Sequence, residues 1–154
     1  VTAAPTTGGS MELSVCLSNL TKNGYKLTSQ RQALIRLFLE NNRTMLSAKE
    51  VRDSITHLAG KQASFGNVYD NLYLLCTFGI IGKTEYCGES FFYLKETSEK
   101  ESVMFICTNC RKIMYFSDGL FDEKKKKEEK EHAYRVISKK FEIYGLCPQC
   151  RVYG

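Results

Sequence analysis

The chain of 154 residues is long enough for one ordinary domain or two small ones, and 43% hydrophobic with 25% charged residues is the balance of a folded protein. Extensive disorder is thereby excluded outside the ends, and no apolar run approaches the ~20 residues that span a bilayer. The net charge of +5, with 22 Lys and Arg against 17 Asp and Glu, permits a polyanionic partner without demanding one.

The first ten residues, VTAAPTTGGS, have the character of linker or tag, so the native start is expected at Met11 with no signal peptide before it. With no membrane segment either, the expected location is cytoplasmic. In ELSVCLSNLTKN (12–23), Leu13, Cys16, Leu17 and Leu20 share one helical face, and Gly24 suits the C-cap. Thr28 caps a second helix, SQRQALIRLFLE, in which Ala33, Leu34, Leu37 and Phe38 recur at helical spacing before Asn41 and Asn42 stop it. SAKE (47–50) is a capping box, and the third helix runs through Val51, Ile55 and Leu58 to Gly60. A fourth helix begins near Ser64, turns Val68, Leu72, Leu75 and Cys76 inward, and ends before Gly79.

The period then changes from helix to strand. GIIGKTEYCGESFFYL (79–94) predicts two strands around Gly88 and Glu89. Helices followed by a β-hairpin is the order of a winged helix-turn-helix. The polar run KETSEKE marks a hinge, assigned to 96–101, between a first domain at 11–95 and a second at 102–154. The second domain predicts a strand at 103–106, a cysteine pair, a strand at 113–116, a charged helix at about 120–133, a strand at 134–144 and a second cysteine pair. DEKKKKEEKE alternates its signs at i, i+4 spacing and reads as a solvated helix face. The fold class is α+β.

ICTNC (106–110) and LCPQC (146–150) carry the strongest chemical signal. Cys107, Cys110, Cys147 and Cys150 can present four sulfurs from two tight turns, a tetrahedral set suited to one structural Zn²⁺ per chain. Iron also accepts such ligands, and a C-x-x-C pair can be a redox centre. The redox reading expects its pair at a helix start, whereas both pairs here read as lying between strands. The other three of the seven cysteines, Cys16, Cys76 and Cys87, read as small buried apolar groups, with oxidant sensing as the second reading for Cys87 in an expected exposed hairpin. No Ser/His/Asp or Cys/His set, phosphate loop or open metal motif is present, so neither an enzyme nor a small-molecule substrate is expected.

Five stretches together carry a family resemblance: GYKLTSQR (24–31), LSAKEV (46–51), SFGNVYDNLYLLCTFGII (64–81), FICTNCRKIMYF (105–116) and EIYGLCPQC (142–150). Over about residues 12–151 the chain resembles the ferric uptake regulator (Fur) family of bacterial metal- and peroxide-sensing repressors. The resemblance implies a homodimer on double-stranded DNA, built from an N-terminal winged-helix DNA-binding domain and a small C-terminal α/β dimerisation domain with a four-cysteine zinc site. It implies that Tyr69 contacts bases from the fourth helix and that Lys26 reaches the minor groove. Asn67 stands where threonine is usual and can hydrogen-bond a base edge. Ser64 would cap that helix toward a phosphate, and Lys83, in the wing, would contact another. Asp70 replaces a frequent arginine and repels phosphate.

The resemblance also implies a regulatory metal held by a histidine before the third helix, an H-x-H ahead of the first cysteine pair, and nearby carboxylates. Those histidine positions hold Met45, Ser102 and Met104, and the aspartate typical of peroxide sensors falls on Tyr115. None is a good ligand for a hard or borderline metal. His57 reads as a helix-surface side chain, and His132, with Glu96, Glu101 and Asp122, would make a weak site. The expectation is a family member that keeps structural zinc and has lost the usual sensing site. The alternatives are a zinc-stapled winged-helix module that binds protein and a thiol-based redox-responsive regulator.

Overall fold

The computed structural model describes residues 13–59, 63–96, 103–116, 120–135 and 140–153. The ten-residue tail, Met11, Gly60, hinge residues 97–101 and Ser102 lie outside them, as does the side chain of Asp122. The described residues through Glu96 form one compact unit, and those from Val103 onward form a second.

In the first unit, apolar residues at helical spacing build α1 (Leu13–Lys22), α2 (Ser29–Glu40), α3 (Ala48–Ala59) and α4 (Phe65–Thr77). The starts of α2 and α3 have local causes. Thr28 accepts the Arg31 N–H at the head of α2. Ahead of α3 the capping box closes both ways: the Ser47 N–H donates to Glu50 at 2.8 Å, and the Glu50 N–H donates to Ser47 Oγ at 3.2 Å. Gly24, at φ +79°, supplies the left-handed residue that ends α1.

A three-stranded sheet completes this unit, in the order β1 (Leu46–Ser47), β3 (Glu89–Leu94), β2 (Ile81–Tyr86). The two-residue β1 is too short to give a periodic signal, and sequence reasoning missed it. The hairpin turn is Cys87-Gly88, one residue earlier than expected, with Tyr86 opposite Glu89. A two-residue turn of this hand needs positive φ at both central positions, and Cys87 at +50° and Gly88 at +78° supply it. Helices and sheet meet on Phe38, Phe92, Leu34, Ile35, Leu72 and Leu75, all without solvent exposure. On α2 the buried residue beside Leu34 is Ile35, while Ala33 is only half-buried.

The second unit holds β4 (Val103–Cys107), β5 (Ile113–Phe116), α5 (Leu120–His132), β6 (Glu142–Gly145) and α6 (Pro148–Tyr153). β4 lies between β5, antiparallel, and β6, parallel. A parallel neighbour needs a long crossover, and α5 lies within it. The strand expected over 134–144 is a correction: residues 136–139 lie outside the described residues, and among the described ones only β6 is strand, paired with β4 from Met104↔Glu142 to Cys107↔Gly145. Tyr134 and Arg135 are exposed and outside any strand. The last helix was also missed, although Pro148 directly after Cys147 is a recognised first-turn residue. Among the described residues, no helix is long and apolar enough to cross a membrane.

Ile55 and Leu58 belong to the same periodic stripe of α3, yet Ile55 is 1% exposed and Leu58 65%. Ile55→Ala is expected to cost roughly 2–5 kcal/mol in denaturant unfolding, and Leu58→Ala to stay within about 0.5 kcal/mol. Equal losses would contradict this packing.

Candidate metal centre and nucleic-acid interface

The metal centre grows out of the β4–β6 register. Cys107 closes β4, and the chain turns back at once, with the Arg111 N–H on the Cys107 carbonyl at 2.9 Å and Arg111 at φ +62°. That turn carries Cys110. Alongside, the Thr108 N–H donates to the Gly145 carbonyl at 2.8 Å, which brings the segment leading to Cys147 against the turn. Cys150 follows one helical turn into α6. The second pair therefore begins a helix, which corrects the expectation that both pairs lie between strands. The redox alternative must then be judged on the sulfurs themselves.

All four sulfurs lie within 4.8 Å of one another, and Cys110 Sγ is 3.8 Å from Cys147 Sγ. A tetrahedron with metal–sulfur bonds of ~2.3 Å has edges of about 3.8 Å. A disulfide requires about 2.0 Å, and all four cysteines are free. Backbone donors face the sulfurs: the Cys147 N–H lies 3.3 Å from Cys107 Sγ, and the Cys150 N–H 3.5 Å from Cys147 Sγ. Cys107 and Cys147 are buried, Cys150 is half-buried, and Cys110 is exposed.

The electrostatics fit a cation. Burial works to raise the Cys107 thiol, but the N–H groups of Cys110, Cys147 and Asn109 outweigh it and bring it down to about 6. At Cys110 the Lys112 N–H favours the thiolate, but desolvation and hydrogen bonding with the other three sulfurs win, pushing it up to about 11. Cys147 is also lowered, by the Cys150 N–H first, so the thiolate is favoured at two of the sulfurs and disfavoured at Cys110. A divalent ion at the centre would relieve that conflict. Four protein ligands leave no open position for water, so the chemistry such an ion supplies is a cross-link.

Among the described residues this is the one His/Cys/Asp/Glu group arranged to hold a metal. His57 is exposed, as expected. His132 is exposed and lies 3.3 Å from Glu128. Glu96 is held by Arg43 at 3.0 Å. Met45, Met104 and Tyr115 are buried. Of the isolated cysteines, Cys16 is buried and Cys76 half-buried, and desolvation raises both thiols. Cys87 is exposed at the hairpin turn, so the reading of it as a buried apolar group is corrected. The turn geometry that needs positive φ there also holds it out of the core.

The candidate nucleic-acid interface is the outer face of α4. Ser64 caps it, accepting the Asn67 N–H at 3.2 Å. Val68, Leu72 and Leu75 face the core, while Phe65, Asn67, Asp70 and Tyr73 face solvent. Tyr69 is half-buried, stacked on Tyr73 at 6.1 Å and set edge-on to Phe92 at 6.4 Å. Lys83 sits on β2 rather than at the hairpin tip. Its ammonium lies 3.1 Å from Glu85, which raises its pKa, and 5.8 Å over the Tyr73 ring. That cation–π contact brings Lys83 beside α4 at Tyr73, on which Tyr69 stacks. Lys26 is exposed in the loop before α2, and its carbonyl accepts Arg31 Nη1 at 2.7 Å.

Two residues with no assigned role connect these parts. Asn71 is 6% exposed on the core side of α4, and its Oδ1 accepts Arg31 Nε at 3.0 Å. A carboxamide on the stripe of Val68, Leu72 and Leu75 is the signal that could have revealed it, since a buried amide needs partners. Arg52 lies 3.7 Å over the Phe65 ring and ties α3 to the start of α4.

The model of the Ferric uptake regulator family matches residues 22–144. The peroxide-responsive repressor PerR of Staphylococcus saprophyticus is 29% identical over 140 residues, covering 91% of this chain and 92% of the relative. The ferric uptake regulation protein of Staphylococcus epidermidis is 30% identical over 132 residues, covering 86% and 91%. Among solved structures, a zinc uptake regulator complexed with zinc and DNA shares the fold at a TM-score of 0.72 and 22% identity, covering 92% and 93%. The chain belongs to the ferric uptake regulator family and is a DNA-binding transcriptional regulator, not an enzyme.

Proposed function

We propose that this regulator acts as a homodimer that reads specific double-stranded DNA, holds one structural Zn²⁺ per chain at Cys107, Cys110, Cys147 and Cys150, and lacks the sensing-metal site implied by the family resemblance. The observation that carries the DNA reading is α4, capped by Ser64 and turning Asn67 outward beside Tyr69. Each subunit would enter one major groove, and the two-fold axis would relate the half-sites. Tyr69 and Asn67 discriminate between bases, and Lys26, Lys83 and the N–H groups behind Ser64 engage backbone or minor groove. Residues 11–95 would be the reading domain and 102–154 the dimerisation domain, with the hinge between them. The protein would work in the cytoplasm.

Zinc as the ion is supported by the four-sulfur set, its 3.8 Å sulfur separation and the absence of an open ligand position. Loss of the sensing site is supported by what stands at its implied positions. Met45, Met104 and Tyr115 are 2%, 5% and 6% exposed, in the manner of packing residues. A metal shifts an equilibrium between protein states only through differential affinity, and without ligands there is little affinity to differ. Asp70, exposed on α4, favours a second reading in which this face binds protein, because a carboxylate repels a phosphate backbone.

Purified protein is expected to carry one zinc per chain by elemental analysis. Cys147→Ser should lose it and cost about 4 kcal/mol or more in the C-terminal unit; a variant that retains zinc and full stability contradicts the clamp. In gel shifts, Tyr69→Ala should weaken binding to the selected site by about 1–3 kcal/mol and hardly change non-specific binding. Equal losses on both, or no DNA binding at all, would favour the protein-binding reading. Saturating Fe²⁺ or Mn²⁺ should change operator affinity of the zinc-loaded protein less than about twofold at fixed salt. A rise of about fivefold or more, the lower end of ordinary allosteric coupling, would restore a sensing site.

A further inference from the structure

The buried link between α2 and α4 fixes which end of the Asn67 amide faces outward. A guanidinium can only donate, so the Asn71 atom 3.0 Å from Arg31 Nε is the carboxamide oxygen. The other end of Asn71 is therefore its NH₂. A second contact requires the same orientation: that nitrogen lies 2.9 Å from the Asn67 backbone carbonyl, which can only accept. The Asn67 side-chain atom 3.2 Å from the same nitrogen is then also an oxygen, Oδ1. Of the two Asn71 N–H groups, one goes to the Asn67 carbonyl and the other is shared between Asn67 Oδ1 and Gln30 Oε1, the latter farther away at 3.4 Å. Polarity thus passes from a permanent cation through a buried amide to an exposed one. Asn67 has its oxygen turned back on the helix and its NH₂ turned away from it.

This matters for readout because asparagine is ambiguous. Its usual base contact is bidentate to adenine, with the oxygen accepting from N6 and the nitrogen donating to N7. With Oδ1 held by Asn71, the free end offers only a donor. Guanine presents two acceptors side by side in the major groove, N7 and O6, and no donor there. Asp70, exposed three residues along α4, would offer an acceptor to the amino group of the paired cytosine.

We propose that Arg31 and Asn71 are positioning residues that lock Asn67 as a hydrogen-bond donor, so that α4 selects guanine rather than adenine at the position Asn67 meets. The inference rests on the DNA-reading role proposed above for α4. Neither Arg31 nor Asn71 need touch DNA.

The test is selection of binding sites from a randomised duplex library by the zinc-loaded full chain. The wild type should require guanine at one position of each half-site, and Asn67→Ala should relax that position alone, by about tenfold. Asn71→Asp places an acceptor opposite Asn67 while still pairing with Arg31. It should turn the Asn67 amide around and move the preference to adenine or cytosine, whose amino groups donate. A merely structural role for Asn71 would lower affinity without changing the base. An unchanged guanine preference in a folded Asn71→Asp variant would overturn the proposal, as would a wild type that demands an A·T pair, in either orientation, at the position Asn67→Ala relaxes. If Asn71→Asp does not fold, Asn67→Asp, at an exposed site, decides: its carboxylate has no donor, and retained selection of guanine refutes the mechanism. A wild type that selects no sequence would defeat the DNA-reading role and this inference with it. Selection that Asn67→Ala leaves intact at every position would defeat the inference alone.

Discussion

The second half of this molecule depends on four sulfur atoms meeting, and they meet because β6 runs parallel to β4 in one register. Cys107 opposite Gly145 sets the distance, and the Thr108–Gly145 hydrogen bond holds it. Among the described residues the sheet there has three short strands, and α5 is highly charged with its described side chains facing water for the most part. A unit this small has little margin, and a metal cross-link between its ends is the usual remedy. Without a cation the cluster is a liability: four sulfurs crowd together, with the thiols of Cys107 and Cys147 lowered and that of Cys110 raised.

The first half rests on a different arrangement, an apolar core with a polar connection beside it. A buried amide such as Asn71 costs stability unless it is satisfied, and here it meets the part-buried Arg31, whose guanidinium is shared between Asn71 Oδ1 and the Lys26 carbonyl. The same contacts join the loop carrying Lys26, the start of α2 and the outer face of α4. A winged helix must hold its reading helix at a set angle and its side chains in set rotamers. An amide midway along α4 that bonds Arg31 and Asn67 is suited to both, where an apolar residue would fix the packing alone.

Much of this was legible in the sequence because local rules govern it. The caps at Thr28, Ser47 and Ser64, the core stripe of α4 and the spacing of the cysteine pairs all express short-range chemistry. What escaped depends on partners distant in the chain. The two residues of β1 exist only because β3 lies beside them, and β6 is as short as β4 permits. α6 is the exception, since its one local signal, Pro148, lies between the two cysteines of LCPQC, read as metal ligands. Asn71 was passed over because helical periodicity finds apolar stripes and says nothing of an amide that completes one. Lys83 was placed in the wing correctly, but its engagement with Glu85 and Tyr73 needed coordinates.

X-ray absorption at the zinc edge of the purified chain tests the central claim most directly. The account predicts a single shell of four sulfurs at ~2.3 Å around one ion. A shell containing nitrogen or oxygen, or cysteines oxidised to disulfides with no zinc edge at all, would contradict it.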